Sequence, residues 1–336
     1  MRSILLIFLL VFNALAFSQI PDGYYDDAEG LGGDELKAAL HDIIDNHVEY
    51  SYNDLRDFIL KNTDEDPDNA NNVILLYTGR SQAKSTFGGG ANDWNREHVW
   101  AKSHGGFGNN PPCGTDAHHI RPTDASVNSE RGNLDFDEGG TPLEEAPGCK
   151  KDGDSFEPRD EVKGDVARMI FYMAVRYEGS NGEPDLEVVD YVNTSPEPEM
   201  GKLQKLLDWN MTDPPDDFEK NRNEVIYSYQ ENRNPFIDHP EYVDLIWGDP
   251  NSREENLFDN ISVYPNPFES VVNIDFSASK TLSYSILSFD GKTIASGKLD
   301  SQNSSVNLTS LNSGIYLLFL QSADADGFKT YKLIKQ

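Results

Sequence analysis

Glu97 and His98 stand side by side in the run Trp94-Asn95-Arg96-Glu97-His98-Val99-Trp100, a carboxylate beside an imidazole in a short aromatic and β-branched stretch. An imidazole with a pKa near neutrality takes a proton from water, and a carboxylate holds a hard cation. Together they suit metal-assisted hydrolysis of a phosphodiester. Successive side chains of a strand point to opposite faces, so both groups serve one site only where the strand ends or twists. Further polar groups follow: Asp116, His118, His119 and Arg121, then Asn128, Arg131 and Asn133.

The elements that position these groups are legible in part. Val73 to Tyr77 reads as a buried strand, a glycine-rich loop at Gly88 to Gly90 leads into the Glu-His run, and Ala117 to Arg121 reads as the second strand of a hairpin. Ser126 to Gly132 has the polarity of a short helix. Earlier, Asp34 is placed to cap a helix carrying Leu36, Leu40, Ile43 and Ile44, and Ser51 with Asp54 forms a capping-box pattern before Leu55, Phe58 and Ile59. Later, Val162, Val166, Met169, Ile170, Met173 and Ala174 have the spacing of a core helix. Leu203 to Trp209 and Val225 to Tyr229 suggest two more. Asp64-Glu65-Asp66-Pro67-Asp68 lacks the Gly and distal Glu of a calcium loop and reads as solvated. His41 and His47 read as structural or solvated, and His104 as solvated.

Composition sets limits. With 28 basic and 58 acidic residues the chain carries a formal charge of −30, which repels a polyanion everywhere except at a local basic patch. The segment from Pro21 to Ala70 holds 15 acidic residues against 3 basic, whereas Ala91 to Asn133 holds 5 against 4. The Glu-His run therefore lies in the least repulsive part of the first half. No His-Glu-x-x-His is present, which argues against a zinc protease built on His98, His118 and His119.

Residues 1–18 have the charged start, apolar middle and small-residue cleavage site of a secretory signal, and no other apolar run reaches membrane-spanning length. Export makes a disulfide between Cys113 and Cys149 the expected state, closing a loop of roughly 35 residues at a gain of about 3 to 4 kcal/mol. Residues 251–260 read as a linker. Beyond it, Val263 to Phe268, Val271 to Phe276, Tyr284 to Lys292 with its Asp290-Gly291 turn, and Gly314 to Leu320 read as the short strands of a small β-sandwich.

Four separated motifs carry a resemblance. Asn95-Arg96-Glu97-His98-Val99-Trp100, Asp116-x-His118-His119-x-Arg121-Pro122-Thr123-Asp124, Val127-Asn128-x-x-Arg131-Gly132-Asn133 and Asn232-Arg233-Asn234-Pro235-Phe236-Ile237-Asp238-His239-Pro240 occur in that order. They resemble the bacterial extracellular endonuclease I family, with its ββα-metal, or His-Me finger, site. The chain departs from the family where Ala101 replaces the usual Pro and where only one disulfide can form. The last strands, ending Lys332-Leu333-Ile334-Lys335, resemble the C-terminal sorting domain of type IX secretion.

The resemblance implies an α+β fold: a mainly helical nuclease domain (19–250) around a ββα-metal motif, plus the C-terminal β-sandwich (261–336). It implies a secreted or surface-attached monomer that cuts DNA, and RNA as a further substrate, without sequence preference and leaves 5′-phosphate ends. His98 is the implied general base, and Glu97 and Asn133 the implied ligands of one divalent cation, Mg²⁺ before Ca²⁺ or Mn²⁺. Arg121 and Arg96, with Arg131 third, are candidates for the arginine that contacts the phosphate. Asp116, His118, Asn128 and Arg131 are candidate supporting groups. The contrasting expectation is an inactive surface-binding protein with a nuclease-like domain.

Overall fold

The computed structural model describes residues 20–248, 261–276, 282–288, 292–300, 304–322 and 328–336. The proposed signal (1–18), the proposed linker (251–260) and the Asp290-Gly291 turn lie outside the described residues. The fold is mixed α+β, in two compact units, Met1–Trp247 and Gly248–Gln336.

The first unit is built on the helix Lys163–Arg176, buried on every side from Gly164 to Arg176. A helix enclosed all round is a core element. Leu36, Leu40 and Ile44 of the helix Gly33–Ile44, Leu206 and Trp209 of Leu203–Thr212, and Val243 share its apolar cluster. The central helix also carries charge. Arg168 forks onto Glu219 at 2.6 to 3.0 Å, and Arg176 meets Asp45 at 2.8 Å and Glu183 at 2.9 Å. Burying these cations is tolerable because each is paired.

Local signals come out as read at some points and are moved at others. Both halves of the Ser51–Asp54 capping box form, Asp54 N donating to Ser51 Oγ at 3.3 Å and Ser51 N to Asp54 Oδ2 at 3.0 Å. Gly32, not Asp34, is the N-cap of its helix, so Asp34 sits inside the first turn, where the helix dipole favours an acid. The strand near Val73 spans Asn69–Ile74 and the buried residues Leu75 to Tyr77 run on past it. Asp64 is fully buried and ion-paired to Arg121 and Arg222, which corrects the solvated reading of its segment.

The site is positioned by one hairpin and one helix. Strand Trp94–His98 pairs antiparallel with Ile120–Asp124, with Glu97 opposite Arg121 and His98 opposite Ile120. Asp124 then caps the helix Ala125–Arg131 through Oδ1, which accepts from Ser126 N at 3.2 Å. That helix stops at Gly132, whose φ of 61° is strained for any residue with a Cβ.

In the second unit, a three-stranded sheet built on Val271–Asp275 and a four-stranded sheet ordered through Leu282–Ser288 and Gly314–Ser322 are antiparallel throughout. Val272, Ile274 and Val306 from one sheet share an apolar cluster with Ile286, Leu318, Leu320 and Leu333 from the other.

Candidate active site

Glu97 and His98 are the last two residues of their strand, and both are buried. Chain alternation stops mattering where the strand ends, so both line one cleft of 480 Å³ together with Asn133. Tyr52, Phe87, Asn95, Arg96, Lys102, Ser103 and Asn128 complete its polar and aromatic wall.

Two features fix the His98 ring. Its Nε2 lies 3.1 Å from the carbonyl of Gly114. A carbonyl accepts only, so Nε2 carries the proton and Nδ1 keeps the lone pair. The ring of Tyr52 stacks on it at 5.6 Å and 29°, and His119 meets it edge-on at 5.5 Å. Burial pushes the imidazole well below its ordinary pKa. His119, Lys102 and Arg96 push the same way against the pull of the Gly114 carbonyl. His98 is therefore neutral at ordinary pH, the form that accepts a proton.

Glu97 accepts from the Tyr77 hydroxyl at 2.8 Å through Oε1, which also lies 3.4 Å from Arg131. Burial raises its pKa, and Arg131 and Tyr77 oppose the rise. Asn133 donates through Nδ2 to Ser103 at 3.2 Å and Ser195 at 3.0 Å, so among the described residues its Oδ1 is the uncommitted end of the amide. His104 holds the backbone of Asn133, its Nε2 2.8 Å from the Asn133 carbonyl. Its Nδ1 lies 2.8 Å from the Glu199 carbonyl and 2.9 Å from Thr194 Oγ1. His104 is thus a buried anchor rather than a solvated side chain.

Arg131 is buried beneath the end of the strand. It donates to the His98 carbonyl at 3.2 Å and the Val99 carbonyl at 2.7 Å. Asn128 donates to Asn95 Oδ1 at 2.7 Å and the Arg96 carbonyl at 3.2 Å, tying the helix to the strand. Asp116 lies away from the cleft. It accepts from Tyr172 at 2.8 Å, Tyr177 at 3.0 Å and Gln230 at 3.0 Å. Burial alone would raise its pKa, but the histidines around it, His47 first, lower it. His118 turns the same way, its Nε2 3.2 Å from the Asn232 carbonyl, so the histidine that meets His98 is its neighbour His119.

Arg121 is not a candidate for the phosphate. Its guanidinium is buried, bound to Asp64 and 3.2 Å from Asp165, although its backbone lies opposite Glu97. The cations that line the cleft are Arg96 and Lys102, against Glu97 as the single carboxylate of the lining. In a chain of charge −30 this is a locally favourable balance for an anion. Tyr52, Phe87 and Lys102 were not among the residues singled out from sequence. Tyr52 had one local signal, its place in the capping box.

The expected Cys113–Cys149 bridge is absent. Both cysteines are free and buried, Cys149 Sγ facing the Tyr77 carbonyl at 3.3 Å. Burial raises both thiols, Cys113 well above its ordinary value and Cys149 to about 11.

The family model for endonuclease I matches residues 32–241, and that for the secretion system C-terminal sorting domain matches residues 262–336. The extracellular ribonuclease of Bacillus subtilis (strain 168) is 61% identical over 227 residues, 67% of this chain and 78% of that protein. The extracellular ribonuclease of Bacillus amyloliquefaciens is 62% identical over 225 residues, again 67% and 78%. Among solved structures, PorZ of the type-IX secretion system of Porphyromonas gingivalis is 20% identical over 25% of this chain and 12% of its own. Its TM-score of 0.21 has no bearing on the fold. Among the described residues no helix is long and apolar enough to cross a membrane. The sorting domain and the extracellular relatives make the protein secreted or attached at the cell surface. The chain belongs to the endonuclease I family and is a nuclease, with a C-terminal sorting domain.

Proposed function

We propose that this protein is a metal-dependent, sequence-nonspecific endonuclease that cleaves phosphodiester bonds of RNA and DNA to 5′-phosphate ends. His98 is the general base, and Glu97 and Asn133 hold one divalent cation, Mg²⁺ before Ca²⁺ or Mn²⁺. The hairpin Trp94–His98 and Ile120–Asp124 with the helix Ala125–Arg131 then acts as a ββα-metal motif. RNA is placed beside DNA because both curated relatives are ribonucleases by name. Residues 19–250 form the nuclease domain in this reading, and 261–336 a β-sandwich that directs type IX export after a signal at 1–18 and a linker at 251–260.

The observation that carries the proposal is that Glu97, His98 and Asn133 line one cleft whose only other charges among the described residues are Arg96 and Lys102. The donors fit a hard cation. Glu97 keeps Oε2 and Asn133 keeps Oδ1 free of hydrogen bonds from described residues, and both are oxygens. Such an ion, when bound, supplies positive charge for the crowded phosphorus and the departing 3′ oxygen.

The protein's own groups do the rest. His98, neutral and with Nδ1 unprotonated, takes a proton from the attacking water. The Gly114 carbonyl fixes its tautomer, and Nε2–H becomes a stronger donor to it as the ring gains charge. Arg96 and Lys102 attract and orient the phosphate against the acidic background. Arg131 holds the strand end so that Glu97 and His98 keep one geometry.

The test is digestion of plasmid DNA and of RNA by the full chain with Mg²⁺, Mn²⁺ or Ca²⁺ and with EDTA, beside His98→Ala. Nicking that needs the ion and is nearly abolished by His98→Ala supports the mechanism. Equal cleavage by the variant, or none by the wild type with any of the ions, refutes it.

A further inference from the structure

Tyr52 reaches the cleft from 46 residues upstream of His98 in sequence. Its ring carries the Arg96 guanidinium 3.4 Å from its centroid and stacks with His98 at 5.6 Å. Arg96 and His98 are two apart on one strand, so they project from the same face roughly 7 Å apart. One aromatic ring contacts both groups. Arg96 also donates through Nη1 to the main-chain carbonyl of Tyr52, so backbone and ring of one residue hold the same guanidinium.

The segment that delivers Tyr52 is itself fixed. Tyr52 is the first helical residue after the Ser51 cap, where both hydrogen bonds of the capping box form. The next residues, Leu55–Ile59, form a π-helical turn, a rare widening that occurs preferentially at functional sites. Leu55 and Ile59 anchor it in an apolar cluster with Ala117 and Ile120, next to the hairpin's second strand. The ring is thus carried on a wall packed against the same hairpin that carries His98.

Resting on the assignment of His98 as base, we propose that Tyr52 is a positioning residue for phosphodiester cleavage. Its ring is the spacer that holds the Arg96 guanidinium toward the phosphate and keeps the His98 imidazole from rotating out of line. The stack needs the ring and not the hydroxyl. A guanidinium and an imidazole that both lean on one ring lose their positions when the ring is removed, and a misplacement of about 1 Å costs up to ~100-fold in rate.

The experiment compares Tyr52→Phe, Tyr52→Leu, Arg96→Ala and the double variant Tyr52→Leu/Arg96→Ala in the full chain, on single-stranded RNA and DNA oligonucleotides with saturating Mg²⁺ and at several salt concentrations. Tyr52→Phe is expected to keep wild-type kinetics. Tyr52→Leu is expected to lose roughly 10- to 100-fold in kcat/KM. It is also expected to lose about 0.7 in the slope of log(kcat/KM) against log[salt], the worth of one phosphate contact on a single strand, as Arg96→Ala does. The double variant is expected to resemble Tyr52→Leu, because the ring's contribution includes that of Arg96. A generally loosened fold would lower activity without moving the salt slope. An active wild type with Tyr52→Leu unaffected, with Tyr52→Phe as impaired as Tyr52→Leu, or with an unchanged salt slope overturns the role of Tyr52 alone. A wild type inert on both RNA and DNA overturns the base assignment as well.

Discussion

Arg131 Nη1 lies 3.4 Å from Glu97 Oε1, with both side chains buried. The same guanidinium reaches the carbonyls of His98 and Val99. One cation therefore balances the proposed ion ligand and clamps the backbone of the proposed base. A lysine retains the charge but has no fork to span two carbonyls and a carboxylate. Arg131→Lys is expected to raise the ion concentration for half-maximal activity by about 10- to 100-fold, as loss of outer support for a ligand does. Arg131→Ala is expected to cost about 3 to 5 kcal/mol of stability besides, since it leaves the Glu97 carboxylate buried without its partner. Titration of activity with Mg²⁺ and thermal unfolding measure the two effects. An unchanged Mg²⁺ titration for Arg131→Lys would remove Arg131 from the support of the site.

Arg121 gives the opposite expectation. It is buried against Asp64 and Asp165, and Arg222 shares Asp64 with it. Removing one member of this network leaves carboxylates buried without enough positive charge, so Arg121→Ala is expected to cost about 3 to 5 kcal/mol. The folded fraction is expected to keep the wild-type KM and salt dependence. A raised KM with an unaltered melting temperature would return Arg121 to the phosphate.

Acid should remove the contribution of His118 to stability at a pH above the ordinary carboxylate range. Burial holds His118 at about 4 against an ordinary value of 6.5. Asp116 pulls it up, while Arg222 and His47 push it down and the Tyr172 ring packs on it. The unfolded chain binds a proton below about 6.5 that the folded chain refuses until about 4. Stability is thus full above 6.5 and falls as the pH drops through that window, by about 3 kcal/mol from this residue. Asp116, whose folded pKa is depressed, loses its contribution only below its ordinary value of 3.8, outside the window. His118→Gln keeps a donor for the Asn232 carbonyl and removes the titration. Its stability measured by urea unfolding from pH 7 to 4.5 is expected to slope less steeply, by up to ~1.4 kcal/mol per pH unit. Parallel slopes for the two proteins would show that His118 does not set the acid limit.

What the sequence made legible was local. Glu97 and His98 at a strand end, the capping box at Ser51, the core helix through Ile170 and the short helix leading to Gly132 all follow from neighbours within a few residues. What it hid was set by distant partners. Arg121 looked available for a phosphate because Asp64, 57 residues earlier, gives no sign that it reaches it. Tyr52 looked like an ordinary helix start because its ring meets Arg96 only once the π-helical turn is docked. His104 looked solvated for the same reason, its partners Asn133, Thr194 and Glu199 lying 29 to 95 residues away.

The cysteines show how a compartment argument can be overruled by packing. Export favours a bridge, yet Cys113 and Cys149 are both free, enclosed in the apolar cluster of the nuclease unit. Burial keeps each thiol protonated at neutral pH, since both pKa values are raised, and only the thiolate attacks another sulfur. They are therefore expected to persist as thiols in air-exposed protein. Alkylation in denaturant is expected to modify both, alkylation of the native protein neither, and a reductant to leave the melting temperature unchanged. A loss of two mass units with no alkylation in denaturant, or a melting temperature that falls on reduction, would restore the bridge.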